Sequence, residues 1–295
     1  MGKRVSAVGR RGEWASGALL GCYAVLVVGL PLAGLGYALL GSVGLAGPLA
    51  EGFTGRYWRA LGTDRGLVYA ALYSAWVAVA AVGTSVALAL ALVLRAQPTL
   101  RRPAFVGLLY VPLLMPALVM AFYLFQLLSR AGWLSRLSFR GGLTGSVEAF
   151  PELVQDGAGV GIILAHVLLT FPFLTLLFQA IYQESRLEEY RQLTRTLGAS
   201  AAQFRRRVAV PMLLRRAAPT VLLSTIATLG AYDIPLLLGR PYPQMLSVYI
   251  ATRLQRFDLR ELPAGYLAGF LVAAGLLGLI ALLLRLTGRV RRGAT

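Results

Sequence analysis

The sequence predicts an all-α polytopic membrane protein with six transmembrane helices and both termini on the cytoplasmic side. Three observations carry that prediction. Of 295 residues, 57% are hydrophobic and only 14% are charged, whereas soluble domains carry about a quarter charged residues. The mean hydropathy is +0.69. The charges are also clustered: none falls between Glu13 and Glu51, Arg65 and Arg95, Arg102 and Arg130, Asp156 and Glu184, or Glu261 and Arg285. Each gap holds the roughly 20 apolar residues that a bilayer-crossing helix needs. A sixth run, Pro219 to Gly239, is interrupted only by Asp233.

The spans are expected at about 15–41, 67–94, 104–128, 158–183, 219–238 and 263–284, in one membrane domain over residues 1–295. The first follows "MGKRVSAVGRRGEW"; it is too long for a signal-peptide core and lacks a small-residue cleavage site, so a retained helix is expected. It contains Cys22, the only cysteine, which excludes an internal disulfide and a cysteine-based metal site and reads as a packing residue. The second, with "VAVAAVGTSVALALAL", and the sixth, with "GYLAGFLVAAGLLGL", are rich in the small residues that let helix backbones approach closely in lipid. The short connection "RAQPTLRRP" leads into the third span. The fourth carries His166 and Pro172, and the fifth carries Asp233.

Sidedness follows from the basic residues. Segments 1–13, 95–103, 184–216 and 285–295 hold 19 of the 29 Lys+Arg but four of the 12 acids, and the intervening loops hold ten and seven. The net charge of +17 is therefore a topology signal. Nucleic acid is not an expected partner, because the arginines are spread over loops without interleaved aromatics. The lipid bilayer is.

The cytoplasmic segment 184–216 has local structure of its own. Ser185 with Glu188, and Ser200 with Gln203, fit two capping boxes. Leu187, Tyr190, Leu193, Thr194 and Leu197 share one helical face. Gly198 stands where a helix end favours a residue able to take positive φ. A second short helix is expected from about Ala201 to Ala209, limited by Pro211. Two readings fit this segment: a helix–turn–helix docking element, or a charged loop obeying the positive-inside rule. Arg205, Arg206 and Arg207 likewise fit either pairing with acids of a partner or a solvated basic face near anionic lipid.

The spacing resembles the cytoplasmic signature of permease subunits of bacterial type I ABC importers: Glu-Ala-Ala, three residues, Gly, nine residues, Ile-x-Leu-Pro. Here Gln192, Leu193 and Thr194 take the first three places, Gly198 the glycine's, and Val208, Ala209, Val210 and Pro211 the last four. The glycine, the proline, "RTLGAS" and the spacing match; the first three residues do not, and Glu188 and Glu189 are the nearest acids. "LLMPALVMAFYLFQLLSRAGWLSR", "LAHVLLTFPFL" and "GAYDIPLLLG" extend the resemblance in the family's order. The likeness is to permeases of the polyamine, ferric-iron and thiamine type.

The resemblance implies a non-catalytic subunit of the bacterial inner membrane that forms a substrate path by alternating access. It implies coupling to a separate cytoplasmic ABC ATPase dimer through Gln192, Thr194, Leu197, Gly198, Ala199, Ser200, Phe204, Arg205, Val208 and Pro211. It also implies a second permease subunit, the same chain or a sister, and a periplasmic or lipid-anchored substrate-binding protein. Cofactors are expected to be none in this chain, ATP being bound by the ATPase. The sequence agrees in one respect: its only lysine is Lys3, and a phosphate-cradling G-x-x-x-x-G-K-[ST] loop needs a lysine beside its glycines.

For the translocation path, the candidates are Tyr232, Asp233, Pro235, His166 and Pro172. An ionisable residue inside a span usually faces a cavity or a partner, and Tyr232 and Pro235 beside Asp233 point to a broken helix whose freed backbone groups line a water-filled path. Local capping near the outer interface is the other reading of Asp233. A packed imidazole bonded to a backbone carbonyl is the other reading of His166. No metal site and no catalytic residue is expected with one His and one Cys. The outer stretch "QMLSVYIATRLQRFDLRELP" fits two readings, an amphipathic piece lying at the surface with its arginines outward or a solvated loop. A self-contained secondary transporter would be expected to show intramembrane charges and paired discontinuous helices in related halves. An intramembrane enzyme would need a nucleophile with its base. Of the first pattern only Asp233 qualifies, and the halves show no obvious kinship. For the second, one His, one Asp and one Cys in separate spans make a poor constellation, so both stay as weaker alternatives to the permease.

Overall fold

Among the residues that the computed structural model describes, 19–47, 52–146, 149–256 and 259–292, every regular element is a helix. The two chain ends, and with them residues 15–18 of the first expected span, lie outside the described residues. In chain order the helices are α1 (Leu19–Ser42, with a π turn at Val25–Gly29), α2 (Arg56–Leu61), α3 (Arg65–Arg95), α4 (Gln97–Leu100), α5 (Pro103–Leu113), α6 (Ala117–Leu128) and α7 (Trp133–Arg140). They continue with α8 (Val160–Glu184), α9 (Leu187–Thr196), α10 (Ala201–Phe204), α11 (Val210–Leu229), α12 (Asp233–Leu238), α13 (Leu246–Leu254) and α14 (Leu262–Arg292).

Five stretches among the described residues are long and apolar enough to cross a membrane: Leu19–Ser42, Arg65–Arg95, Ala117–Arg140, Val160–Glu184 and Leu262–Leu282. The expected third span, 104–128, is two helices, α5 and α6. Pro116 has extended backbone geometry, and the residue before a proline is driven out of the helical region, so the chain breaks at Leu114–Pro116. The expected fifth span, 219–238, is also two helices. Its first part, α11, begins earlier, at Val210, and includes Arg215 and Arg216. Its second part, α12, follows a break at Gly230–Tyr232, because Pro235 has no N–H to offer the carbonyl of Ala231. That carbonyl instead accepts a hydrogen bond from the Ser247 hydroxyl.

Internal contacts divide the chain into two compact units, Met1–Asp64 with Ile250–Leu277, and Arg65–Tyr249 with Gly278–Thr295. In the first, Tyr37 and Tyr266 meet edge to face with ring centroids 5.6 Å apart. Arg253 and Asp64 form a 2.7 Å ion pair, largely shielded from solvent.

The second unit is built on α3 and α8. The buried face of α3 is a stripe of small residues, Ala70, Ser74, Ala78, Ala81, Ser85 and Ala89, at helical spacing. Side chains this small let α8 lie along α3 at close range. One apolar core gathers Phe178, Leu187, Phe204 and Leu213 at one end of the helices. A second gathers Val77, Leu124, Ile162, Ile234 and Met245 at the other. Large apolar side chains on the opposite face of α3, such as Leu72, Trp76 and Val79, are exposed, as suits a lipid-facing surface.

The start of α8 is fixed by loop residues. The Asp156 carboxylate accepts from the backbone N–H of Ala158 and Val160, each at 3.0 Å. Trp76 donates its indole N–H to the Ala158 carbonyl at 2.9 Å. Gly159 sits at φ +75°, and a Cβ there would stand 2.7 Å from the Tyr73 hydroxyl oxygen. Gly159→Val is therefore expected to destabilise by about 2 kcal/mol or more, from left-handed strain together with the clash. The thermal midpoint of detergent-solubilised protein should fall by several degrees. Gly83→Ala, in open space on α3, should leave it unchanged or raise it.

Candidate functional site

Two places in the second unit collect the expected site residues. The first is the segment from α9 to α11. Helix α9 ends in a Schellman arrangement: Ala199 N–H donates to the Thr194 carbonyl at 3.0 Å and Gly198 N–H to the Arg195 carbonyl at 3.1 Å. Gly198 sits at φ +78°, as expected of a left-handed turn residue. Ser200 then caps α10. Gln203 N–H donates to Ser200 Oγ at 3.2 Å, and Ser200 N–H donates to Gln203 Oε1 at 2.7 Å, which completes the expected capping box.

The other expected box, Ser185 with Glu188, does not form. Two residues, Ser185 and Arg186, separate α8 from α9; Ser185 ends α8, and Arg186 at φ +51° takes the cap position of α9, one residue past where the box needs the serine. Glu188 turns to the Tyr182 hydroxyl, which donates to it at 2.8 Å, and to Arg191 at 3.5 Å. Helix α9 is thereby tied to the end of α8. Glu189 remains exposed, 3.8 Å from Arg186.

The second short helix also differs from expectation. It does not stop before Pro211 but runs through a π turn, Arg205–Ala209, into α11. An α-helical turn would drive the proline ring against the carbonyl four residues back and leave that carbonyl without a donor; the wider i→i+5 turn accommodates both. Helix α10, the π turn and α11 are thus one continuous helical rod from Ala201 to Leu229.

Burial sorts the residues of this segment. Leu187 and Phe204 are buried, and Val208 packs against the same core. These anchor the turn. Tyr190, Leu193 and Leu197 share the helical face read from the sequence and are 46%, 57% and 78% exposed. Gln192 and Gly198 are exposed with them, and nothing lies within 4 Å of the position a Gly198 Cβ would take. A Gln97–Gln179 amide pair at 2.9 Å joins the α3–α4 corner to α8 behind the segment. Its partners lie 82 positions apart, so no local signal announced it.

The second place is a cavity of about 390 Å³ beside the α11–α12 break. It brings together His166, Tyr232 and Asp233, as expected, and adds Thr170, Phe173 and Thr228. Pro235 and Pro172 are buried in their helices and are not on its wall. Asp233 is exposed, and among the described residues it is the only charged side chain lining the cavity. His166 is 93% buried by its 7% exposure, and its Nε2 has no hydrogen-bond partner among the described residues. Ser224 and Thr228, one turn apart, were a polar stripe legible in the sequence; the Thr228 hydroxyl donates to the Ser224 carbonyl at 2.9 Å. Among the described residues, no three of His, Cys, Asp and Glu stand close enough to hold a metal.

Comparison with known proteins is consistent with this arrangement. Residues 83–292 match the family described as binding-protein-dependent transport system inner membrane component. The chain is 31% identical over 244 residues to the thiamine transport system permease protein of Escherichia coli (strain K12), an alignment covering 81% of this chain. The chain spans less than half of that relative, 43% of its length. The fold resembles a crystal structure of a bacterial ABC transporter involved in the import of the acidic polysaccharide alginate, with TM-score 0.69 and 17% identity over 98% of this chain and 99% of that one. It equally resembles the bacterial alginate ABC transporter in complex with alginate pentasaccharide-bound periplasmic protein, with TM-score 0.69 and 16% identity over 98% of each chain. The turn at Gly198 and the broken helix above it thus sit within the matched region, and the chain belongs to the binding-protein-dependent transport system inner membrane components, the permease subunits of ABC importers.

Proposed function

We propose that this chain forms half of the translocation path of a bacterial inner-membrane importer and receives mechanical work from a separate cytoplasmic ATPase dimer. Its docking surface is the segment around Gly198. The observation that carries this reading is the exposed apolar face Tyr190, Leu193 and Leu197 beside a turn with open space around Gly198. Three large apolar side chains left outside the core on a short, otherwise polar helix favour a protein partner. Gln192, Thr194, Ala199 and Ser200 complete the contact surface, and Arg205 and Pro211 lie where the π turn passes motion into α11. Both termini are assigned to the cytoplasm, and α11 with α12 makes the fifth of six crossings.

A second permease subunit, the same chain or a sister, closes the other half of the path, and a substrate-binding protein delivers the solute from outside. The cavity beside Asp233 is the solute's station in this half. A carboxylate in a cavity that, among the described residues, has no lysine or arginine on its lining, together with Phe173 and Tyr232, favours a small organic cation. The likeness to a thiamine permease supports the same class.

The test uses Leu197→Cys in a Cys22→Ser background, assembled with the ATPase encoded with it. A membrane-impermeant maleimide should label Cys at 197 only from the cytoplasmic side, and addition of the ATPase should protect it. Labelling from outside, or no protection at saturating ATPase, would defeat the assignment.

A further inference from the structure

We infer that a cavity at the foot of α3 is a binding site for the phosphate of an anionic phospholipid, seated against the helix that links the docking segment to the fifth crossing. The cavity, about 280 Å³, lies between α3 and the α10–α11 junction; Leu90, Leu94 and Val210 form its apolar wall, and Arg95, Arg205 and Arg206 its charged rim.

The charge on that rim is uncompensated. Among the described residues, none of these three guanidiniums has an acidic partner within ion-pair distance, because the acids of the segment are engaged elsewhere. Glu184 pairs with Arg216 at 3.7 Å, Glu188 with Arg191 at 3.5 Å, and Glu189 with Arg186 at 3.8 Å. Three like charges around one cavity repel, and all lie well within the screening length of about 8 Å at physiological salt if they share a ligand. An anion that touches all three removes the repulsion, and a phosphate offers each guanidinium a planar, paired-oxygen contact.

The apolar wall decides which anion. Leu90 and Leu94 stand on the membrane-crossing helix one to five residues before Arg95, so at about 1.5 Å per residue they descend up to roughly 7.5 Å below the charged rim. A phosphate on the arginines and an acyl chain on the leucines is the spacing of a lipid in its leaflet. A free phosphate ion would leave that wall uncovered. The lipid touches the π turn that precedes Pro211, and so bears on the rod through which ATPase movement would reach α11. Placing this lipid in the inner leaflet rests on the orientation proposed above; the binding itself does not.

Native mass spectrometry of the full chain in detergent, titrated with phosphatidylglycerol or phosphatidylcholine, tests the site. Phosphatidylglycerol should be retained preferentially, and retention should fall as salt rises. The double variant Arg95→Gln/Arg206→Gln should weaken apparent affinity roughly thirtyfold, about fivefold for each arginine. Arg95→Lys/Arg206→Lys should keep most of it, and Arg130→Gln/Arg140→Gln, the same charge change in the outer loop, should have no effect. Equal retention of the two lipids, retention indifferent to salt, or full retention by the Gln double variant with unchanged helicity and monodisperse elution would overturn the proposal. Displacement of the lipid by low-millimolar inorganic phosphate would assign the site to a soluble anion and overturn it too. The readout needs no ATPase, so either result leaves the docking assignment to the labelling experiment at position 197.

Discussion

Gly198→Arg is expected to abolish recovery of the ATPase with this chain, by tenfold or more, while the chain itself stays folded and inserted. The two expectations have different physical sources. A non-glycine residue at φ +78° costs about 1–2 kcal/mol of backbone energy, which the anchors Leu187 and Phe204, both buried in the core, can withstand. A Cβ at this position meets nothing within 4 Å, so the added side chain starts into open space. There it meets the docked partner, in a surface where a few central contacts carry most of the binding energy. Gly198→Ala separates the effects: it carries the backbone cost without the bulk, and should lower ATPase recovery only a few-fold. Co-purification and thermal unfolding of the three proteins side by side check this. Wild-type ATPase recovery by Gly198→Arg would show that the open space is not covered by a partner.

Asp233→Asn is expected to raise the half-saturating solute concentration for uptake by about tenfold or more while ATPase recovery stays normal. A hydrogen bond to a charged group contributes about 1.5–3 kcal/mol where a neutral one contributes about 1, and Asp233 is the only charged group that the cavity wall offers among the described residues. The side chain is exposed and no cap bond from it opens α12, so the amide should not disturb the fold. Asp233→Glu, which keeps the charge, should recover most of the loss. Uptake by Asp233→Asn that matches wild type would return Asp233 to a local role at the helix end. His166→Ala tests a second residue lining the same cavity. With its Nε2 unpartnered in a buried setting, removal of the imbalance costs little stability, and an altered transport rate would mark it as a path residue.

Much of this was legible in the sequence because the signals are local. Charge-free runs bounded by arginine announce helices in lipid, whatever their packing. Gly198 and the Ser200–Gln203 box were readable because each depends on residues at most five positions apart. The same local rule misled at Ser185: the two-residue link puts Arg186 in the cap position of α9 and leaves the serine to end α8. The break at Pro116 divides a run that composition alone reads as continuous, because hydropathy does not register a missing N–H, whereas the break before Asp233 was signalled by Tyr232 and Pro235. Contacts that hold the site from a distance carry no sequence signature. Gln97 with Gln179, Leu246 N–H with the Ser74 hydroxyl at 2.7 Å, and Ser247 with the Ala231 carbonyl each join residues brought together only by the fold.

The account turns on one transfer of work, from a foreign ATPase through the Gly198 segment into α11. Proteoliposomes test it most directly, with the chain and any sister permease reconstituted, the binding protein and labelled solute outside, and ATP sealed inside with or without the ATPase. Accumulation above passive leak is expected only when the ATPase is present, and should vanish again with Gly198→Arg. Accumulation by the permease alone, or undiminished uptake by that variant with the ATPase present, would contradict it.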